Sequence, residues 1–224
     1  MVGPGRVKLE LIKRGRQFSA VRVQLIQGVT KAGSPAVAIE AIFNQGNLAK
    51  EEVNKLLSLP TAFKLDSNHL KKHDAETWSD LLIDRRPVLK KIQILSPRLE
   101  NKGEFPNPSI REQWVSWSPA DSPKGFDIAG LAFLCDSFRP LPEQYDLVGN
   151  WYPTLNARVE VKRAPPSGGW KWLYMRIEMK VISNGRFDYE VIIFDEEGRV
   201  VALSHHTSLI VGGERNAKVK EIKL

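Results

Sequence analysis

The chain has 224 residues, 42% hydrophobic and 26% charged, which is typical of a folded globular protein. The 33 Lys and Arg against 26 Asp and Glu give a net charge of +7, but they are scattered, so we expect no nucleic-acid partner. The single cysteine excludes an intrachain disulfide, and no apolar run reaches the ~20 residues that span a membrane. We therefore expect a cytoplasmic protein with no membrane partner. A peroxisomal address stays open because the chain ends in Ile-Lys-Leu.

The first part of the chain is predicted to be an antiparallel meander of three strands. Apolar residues alternate with polar ones through 6–15 and 18–27, and a third apolar run covers 36–43. A short helical pattern follows at 47–59 and ends before Pro60. These patterns predict a sheet followed by a helix.

The composition divides the chain into two domains. Strands dominate residues 1–60, which we interpret as a partial first domain. Residues 61–87 are polar and are predicted to be a linker, and residues 88–224 are predicted to form the second domain. A proline-rich stretch at 96–109 reads as a loop.

The second domain is predicted to contain one apolar helix and a long antiparallel sheet. A strand is predicted at 111–119 and a helix at 125–138. The apolar residues of this helix cover nearly its whole circumference, so we expect burial on most sides. Four further strands are predicted at 153–163, 170–183, 186–195 and 199–211. In the second of these, the residues predicted to face inward are Leu173, Met175, Ile177, Met179 and Val181.

Together these elements predict an α+β protein in which the sheet wraps the buried helix. Four stretches resemble the type II acyl-CoA thioesterases, which are double-hotdog proteins: residues 11–27, 131–142, 151–163 and 201–206. The resemblance implies a hotdog fold of the double-hotdog type, an acyl-CoA or related thioester as substrate, and no cofactor. It leaves a homo-oligomer open.

The first hotdog is expected to be truncated. A complete hotdog begins with a strand and the central helix, whereas the resemblance in the first half starts at the strand after that helix. Residues 1–5 are too few to supply either element. A replacement helix from 47–59, or completion by a second chain, stays open.

The resemblance also implies three catalytic residues. Such thioesterases bind the attacking water with an aspartate, a threonine and a glutamine. The matching positions here are Asp136, Thr154 and His206, so a histidine stands where the family has glutamine. Successive strand residues point to opposite faces, so His206 is expected to face the site and His205 to face away.

The residues support this prediction on their own terms. Asp136 ends an apolar helix, where the helix dipole disfavours a negative charge, so it either reaches solvent or serves a site. Thioester hydrolysis also needs donors for the oxyanion. We expect the backbone at Gly125 and Phe126, which opens the helix, to bind the substrate carbonyl. Cys135 is rejected as a nucleophile because it lies on the apolar helix, and no metal-ligand spacing occurs.

Three functions are therefore considered. The first is an acyl-CoA thioesterase that uses an activated water. The second is a non-hydrolytic hotdog protein, either a dehydratase or cyclase of polyketide or acyl metabolism or a ligand-binding module, which histidine in place of glutamine favours. The third is an anion- or nucleic-acid-binding protein with tryptophans as stacking groups, namely Trp114, Trp117, Trp151, Trp170 and Trp172.

Overall fold

The computed structural model describes residues 4–15, 18–46, 70–73, 91–97, 107–118 and 124–213. The chain forms two compact units, Met1–Lys55 and Leu56–Leu224. The helix predicted at 47–59 lies outside the described residues, and the predicted domain boundaries stay a prediction. Within the described ranges, no helix is long and apolar enough to cross a membrane.

The first unit contains the predicted meander. Strands β1 (Arg6–Lys13), β2 (Phe18–Val29) and β3 (Pro35–Gly46) pair antiparallel in chain order. One face of this sheet carries charged residues, and there the Arg22 guanidinium donates a hydrogen bond to the Glu10 carboxylate at 3.1 Å. The register pairs Leu9 with Val23 and Val23 with Ala41, which gathers apolar side chains on one face. Several of these side chains stay exposed: Val7, Leu9, Leu11, Ile39 and Phe43.

The second unit is built on one antiparallel sheet. Its strands are β4 (Leu70–His73), β5 (Ile92–Pro97), β6 (Ile110–Trp117), β7 (Thr154–Val161), β8 (Leu173–Glu178), β9 (Ile182–Ser183), β10 (Arg186–Phe194) and β11 (Val200–Leu209). The order in the sheet is β4-β5-β6-β8-β10-β11-β7, and β9 pairs with β10. Tight hairpin turns of the kind that glycine favours follow β9 and β10, with positive φ at Gly185 and Gly198.

Two parts of the sheet differ from the sequence prediction. Strand β4 falls within the predicted linker, and β5 takes in the first two residues of the predicted loop at 96–109. The strand predicted at 170–183 is interrupted after Glu178. The backbone N–H of Val181 then donates to the Asp188 carboxylate at 3.0 Å instead of joining a ladder. Val181 is therefore 56% exposed, and its predicted inward orientation is wrong.

The single α-helix of the described residues, α1 (Ile128–Leu134), is shorter than predicted. Asp127 caps its start by accepting a hydrogen bond from the Gly130 N–H at 2.8 Å. Leu131 and Leu134 are fully buried in the core, where they join sheet residues such as Ile177. Three other residues of the helix, Ile128, Ala129 and Ala132, are exposed. The prediction of burial on nearly all sides is therefore wrong, because only one face of α1 meets the core.

Two substitutions in α1 test this one-sided burial. Leu131→Ala should lower the free energy of unfolding by about 2–5 kcal/mol, because it removes a fully buried side chain and leaves a cavity. Ile128→Ala should cost about 1 kcal/mol or less, because Ile128 is 47% exposed. The measurement is urea unfolding at neutral pH. Equal losses for the two variants would contradict an exposed outer face of α1.

Candidate active site

The carboxylate of Asp136 lies just beyond the end of α1. Its backbone N–H donates to the Phe133 carbonyl at 3.2 Å, which continues the helical turn by one residue. The chain then enters a short 3₁₀ helix at Leu141–Tyr145, which a 2.6 Å ion pair between Arg139 and Glu143 ties to the preceding loop. The Asp136 side chain is 55% exposed. Its backbone is thus fixed while its carboxylate stays open.

The two histidines of β11 have the orientation predicted for a strand. His206 is fully buried, whereas His205 is exposed. The His206 ring packs against Tyr189 of β10, at 5.4 Å between ring centroids, and against the edge of Phe138 at 6.4 Å. His206 therefore points into the second unit from the inner face of the sheet.

The structure brings the three predicted catalytic side chains together around one oxygen atom. Thr154 Oγ1 lies 3.3 Å from Asp136 Oδ1, and His206 Nδ1 lies 3.7 Å from the same oxygen. The antiparallel pairing of β7 with β11 carries Thr154 to this place, because Thr154 is registered with Ser208. The distance of 3.7 Å is longer than a direct hydrogen bond. A small rotation or an intervening water would connect the two groups.

A fourth side chain, Ser204, belongs to the same cluster and was missed from the sequence. Its Oγ lies 2.6 Å from His206 Nε2, and both residues are buried. The buried thiol of Cys135 lies beside Ser204. The available signal was the spacing, since residues two apart on a strand share a face.

Burial controls the protonation of two members of the cluster. It raises the pKa of Cys135 to about 12, so the thiol stays protonated at neutral pH and is a poor nucleophile. Burial also lowers the pKa of His206, and the Asp136 carboxylate and the Cys135 carbonyl only partly oppose it. His206 is therefore neutral at neutral pH.

Two buried polar atoms on the inner face of β11 have no hydrogen-bond partner within the described part of the chain. They are His206 Nδ1 and Ser208 Oγ. A buried polar group without a partner is rare in folded proteins, and such groups usually contact an ordered water or a ligand. Both atoms belong to β11, which pairs with β7, the strand of Thr154. The inner face of β11 is therefore polar as well as buried.

Gly125 and Phe126 lie apart from this cluster. The N–H of Gly125 donates to the Gly168 carbonyl at 2.7 Å, and that of Phe126 to the Trp170 carbonyl at 2.8 Å. A Cβ at Gly125 would overlap the Trp170 carbonyl, so close packing of the chain itself requires this glycine. The seven residues of α1 separate these positions from Asp136 by roughly 10 Å at 1.5 Å per residue. Their role in substrate binding stays a prediction.

The tryptophans do not form an exposed stacking surface as a group. Trp114 and Trp170 are only 2% and 7% exposed. Trp117 packs on Phe126 with 4.6 Å between ring centroids. Among the tryptophans that the structure describes, only Trp151 is exposed, at 41%. Most of these rings are thus used for packing, which removes the main support for a nucleic-acid interface.

Metal binding has no support in the described ranges. No three His, Cys, Asp or Glu side chains of residues 4–15, 18–46, 70–73, 91–97, 107–118 and 124–213 come together as a set of ligands. The cluster itself offers a carboxylate, two hydroxyls, a protonated thiol and a neutral imidazole.

Comparison with known proteins gives concordant matches. A family model described as the acyl-CoA thioesterase C-terminal domain matches residues 67–210. The thioesterase-like protein TwmA of Talaromyces wortmannii is 24% identical, over 97% of this chain and 75% of that protein.

Two solved structures resemble the chain. A Thermobifida fusca protein assigned as a thioesterase II has a TM-score of 0.69 at 20% identity, over 93% of this chain and 73% of that one. A hot dog fold protein of Alicyclobacillus acidocaldarius has a TM-score of 0.73 at 17% identity, over 92% and 72% of the two chains. At these identities the likeness shows the fold, and this mostly antiparallel α+β fold is a hotdog fold.

The buried neutral histidine makes stability depend on pH. Above pH 6.5, His206 is neutral in both the folded and the unfolded chain, so it adds no pH dependence. As the pH falls below this value, the unfolded chain binds a proton that the folded site disfavours. The free energy of unfolding should then fall by up to about 1.4 kcal/mol per pH unit, until the lowered pKa is reached.

Urea unfolding at pH 7.5 and at pH 5.5 measures this effect. The groups that face the ring are Asp136, Tyr189 and Cys135, and His205 adds a weaker repulsion. His206→Gln should lose less stability between the two pH values than the parent does. His205→Gln, an exposed control on the same strand, should behave like the parent. An unchanged acid sensitivity in His206→Gln would show that His206 is not the group responsible.

Proposed function

We infer, because this chain belongs to the acyl-CoA thioesterase C-terminal domain family, that it is a thioester hydrolase acting on an acyl-CoA or a related thioester. The observation that carries this proposal is the position of Asp136. Its carboxylate is half exposed, while Thr154 and the buried His206 approach the same oxygen from the protein side. An open, oriented carboxylate of this kind can bind and activate a water.

Asp136 is proposed as the general base. It accepts a proton from a bound water as the water oxygen bonds to the thioester carbonyl carbon. The tetrahedral intermediate then collapses, the C–S bond breaks, and the thiolate of coenzyme A receives the proton held by Asp136. A positioned general base typically contributes about 10²–10⁴-fold to the rate.

Thr154 and His206 are proposed to orient the base and the water. The Thr154 hydroxyl donates to Asp136 Oδ1 and so fixes the rotation of the carboxylate. His206 Nδ1 faces the same oxygen and lacks another partner in the described part of the chain, so it is available to a water between them. Both side chains come from strands, which hold them more rigidly than loops would.

The acyl chain is proposed to lie along the exposed face of α1. Ile128 and Ala132 are one helical turn apart on that face, and Asp136 follows one further turn along. Ile128 is a large apolar side chain that is 47% exposed, and Ala132 leaves room beside it. An apolar strip that ends at the carboxylate would place a thioester carbonyl beside Asp136.

The double-hotdog arrangement is also a proposal. The three-stranded sheet of the first unit has the strand order of a simple meander and an apolar face that remains exposed. A sheet of this kind is expected to pack against a helix. We assign it to the strands of a first hotdog, and the second unit, in which α1 packs against the sheet through Leu131 and Leu134, to a second hotdog. A role in cytoplasmic lipid metabolism would follow from the proposed substrate.

A dehydratase or cyclase acting on a polyketide-like thioester is the second candidate. The approach of His206 to Asp136 favours it, because an imidazole beside a carboxylate can also move a proton on and off carbon. The two functions give different products. Hydrolysis releases a free thiol, whereas dehydration of a hydroxyacyl thioester leaves the thioester intact and lowers its mass by one water.

Asp136→Asn tests the proposed base. The variant keeps the size and hydrogen-bonding capacity of the side chain but cannot take the proton. The kcat for release of free coenzyme A should therefore fall about 10²–10⁴-fold with little change in KM. The assay is thiol release from a panel of acyl-CoAs, with mass spectrometry of the acyl product.

Asp146→Asn is the matched control. Asp146 is exposed and has a φ of 59°, a left-handed conformation that asparagine tolerates. This variant should keep the parent kcat. Full turnover by Asp136→Asn would remove Asp136 from the role of base.

Ala132→Leu tests the proposed path of the acyl chain. The larger side chain should obstruct the strip, so kcat/KM should fall several-fold more for long-chain than for short-chain acyl-CoAs. Ala132 is exposed, and such substitutions usually change stability by only about 0.5 kcal/mol. The control is Ala164→Leu at another exposed alanine. An equal effect on all chain lengths would place the acyl chain elsewhere.

A further inference from the structure

We propose that Ser204 is a positioning residue that holds His206 in the tautomer with its proton on Nδ1. The buried imidazole would then present a fixed N–H donor toward Asp136. The catalytic meaning of this arrangement rests on the proposed function, whereas the tautomer itself is a property of the folded chain.

The placement of Ser204 follows from the period of the strand. Ser204 and His206 are two residues apart on β11, so both side chains lie on its inner face. The 2.6 Å distance between Ser204 Oγ and His206 Nε2 is that of a short, well-formed hydrogen bond. Both groups are shielded from water, since Ser204 is 5% exposed and His206 is fully buried. Solvent therefore does not compete for this bond.

The surroundings of the ring decide which nitrogen carries the proton. His206 Nδ1 faces an acceptor, the Asp136 carboxylate at 3.7 Å. An unprotonated Nδ1 would turn its lone pair toward this negative charge. The Nδ1–H tautomer is therefore favoured, and it requires Nε2 to accept a hydrogen bond. The Ser204 hydroxyl is the group in position to donate it.

The order of donation therefore runs from Ser204 to His206 Nε2, and from His206 Nδ1 toward Asp136. Beside this pair, burial raises the pKa of the Cys135 thiol to about 12, so the thiol stays protonated at neutral pH.

These hydrogen bonds place the serine and the carboxylate in the opposite positions to those in an enzyme with a nucleophilic serine, a histidine and an aspartate. In such an enzyme, the serine meets the substrate and the carboxylate is buried behind the histidine. Here Ser204 is 5% exposed and Asp136 is 55% exposed. The end that a substrate or water can reach is the carboxylate. Ser204 therefore acts through His206 and does not attack the thioester.

Nitrogen-15 NMR of the histidine rings tests the tautomer directly. The full chain contains four histidines, and the signals of His206 are identified by their loss in His206→Gln. At pH 7.5, the parent should show His206 as one neutral tautomer with the proton on Nδ1. Ser204→Ala should convert it to a mixture of both tautomers, whereas Ser204→Thr, which keeps a hydroxyl, should restore the parent spectrum.

Kinetics supply a second readout. In Ser204→Ala, kcat should fall by up to about 10-fold with little change in KM, the size expected when one hydrogen bond that orients His206 is lost. A proton on Nε2 in the parent, or an unchanged tautomer in Ser204→Ala, would overturn the assignment. The parent spectrum alone decides the first of these outcomes, even if Ser204→Ala fails to fold.

The two readouts separate this inference from the proposed function. A chain with the Nδ1–H tautomer that hydrolyses no thioester would keep the inference and refute the function. A hydrolase whose His206 carries its proton on Nε2 would keep the function and refute the inference.

Discussion

The contact between the end of α1 and the inner face of β11 is the constraint on which the site depends. Leu131 and Leu134 bury one face of the helix, which fixes where the chain emerges at Cys135. Cys135 is fully buried there, and its interactions with Ser204 and His206 place it against the inner face of β11. Asp136, the next residue, is thereby held beside the strand with its carboxylate directed outward. A shift of α1 by one residue would place Cys135 or Ser137 there instead, and neither carries a carboxylate.

The cluster has a buried side and a solvent-exposed side that lie within a few ångströms of each other. Burial keeps the Cys135 thiol protonated and the His206 ring neutral, so the inner groups carry no net charge at neutral pH. The negative charge sits at Asp136, where solvent reduces the cost of keeping it. This division suits a reaction in which the charge must meet a water and a substrate. Because the His206 ring is neutral, its burial does not require a counter-charge.

Strand periodicity accounts for most of what the sequence predicted. The alternation in 199–211 required the two histidines to face opposite sides, and the resemblance then placed His206 inward and His205 outward. The resemblance supplied Asp136 and Thr154, which composition alone did not distinguish from surface residues. The meander of the first unit and the hairpin turns at Gly185 and Gly198 were also predictable, since short loops with glycine determine strand pairing.

The remaining features depend on contacts that a single sequence does not reveal. The sequence predicts burial for the exposed face of α1 because its alanine and isoleucine residues are apolar, and apolar residues do not by themselves reveal which face meets the core. Val181 continues an alternating pattern, but the Asp188 side chain captures its N–H and ends the strand. Ser204 is an ordinary strand serine until its hydrogen bond with His206 is known. In each case a tertiary contact decided between two locally acceptable conformations.

Isotope labelling under single-turnover conditions tests the central claim, that Asp136 activates a water and does not itself attack the thioester. The enzyme in excess is mixed with an acyl-CoA in water enriched in oxygen-18, and the product acid and the peptide containing Asp136 are analysed by mass spectrometry. Direct attack by water predicts one heavy oxygen in the acid from the first turnover and none in Asp136. An unlabelled acid with a heavy oxygen in Asp136 would show an acyl-enzyme intermediate and would contradict the account.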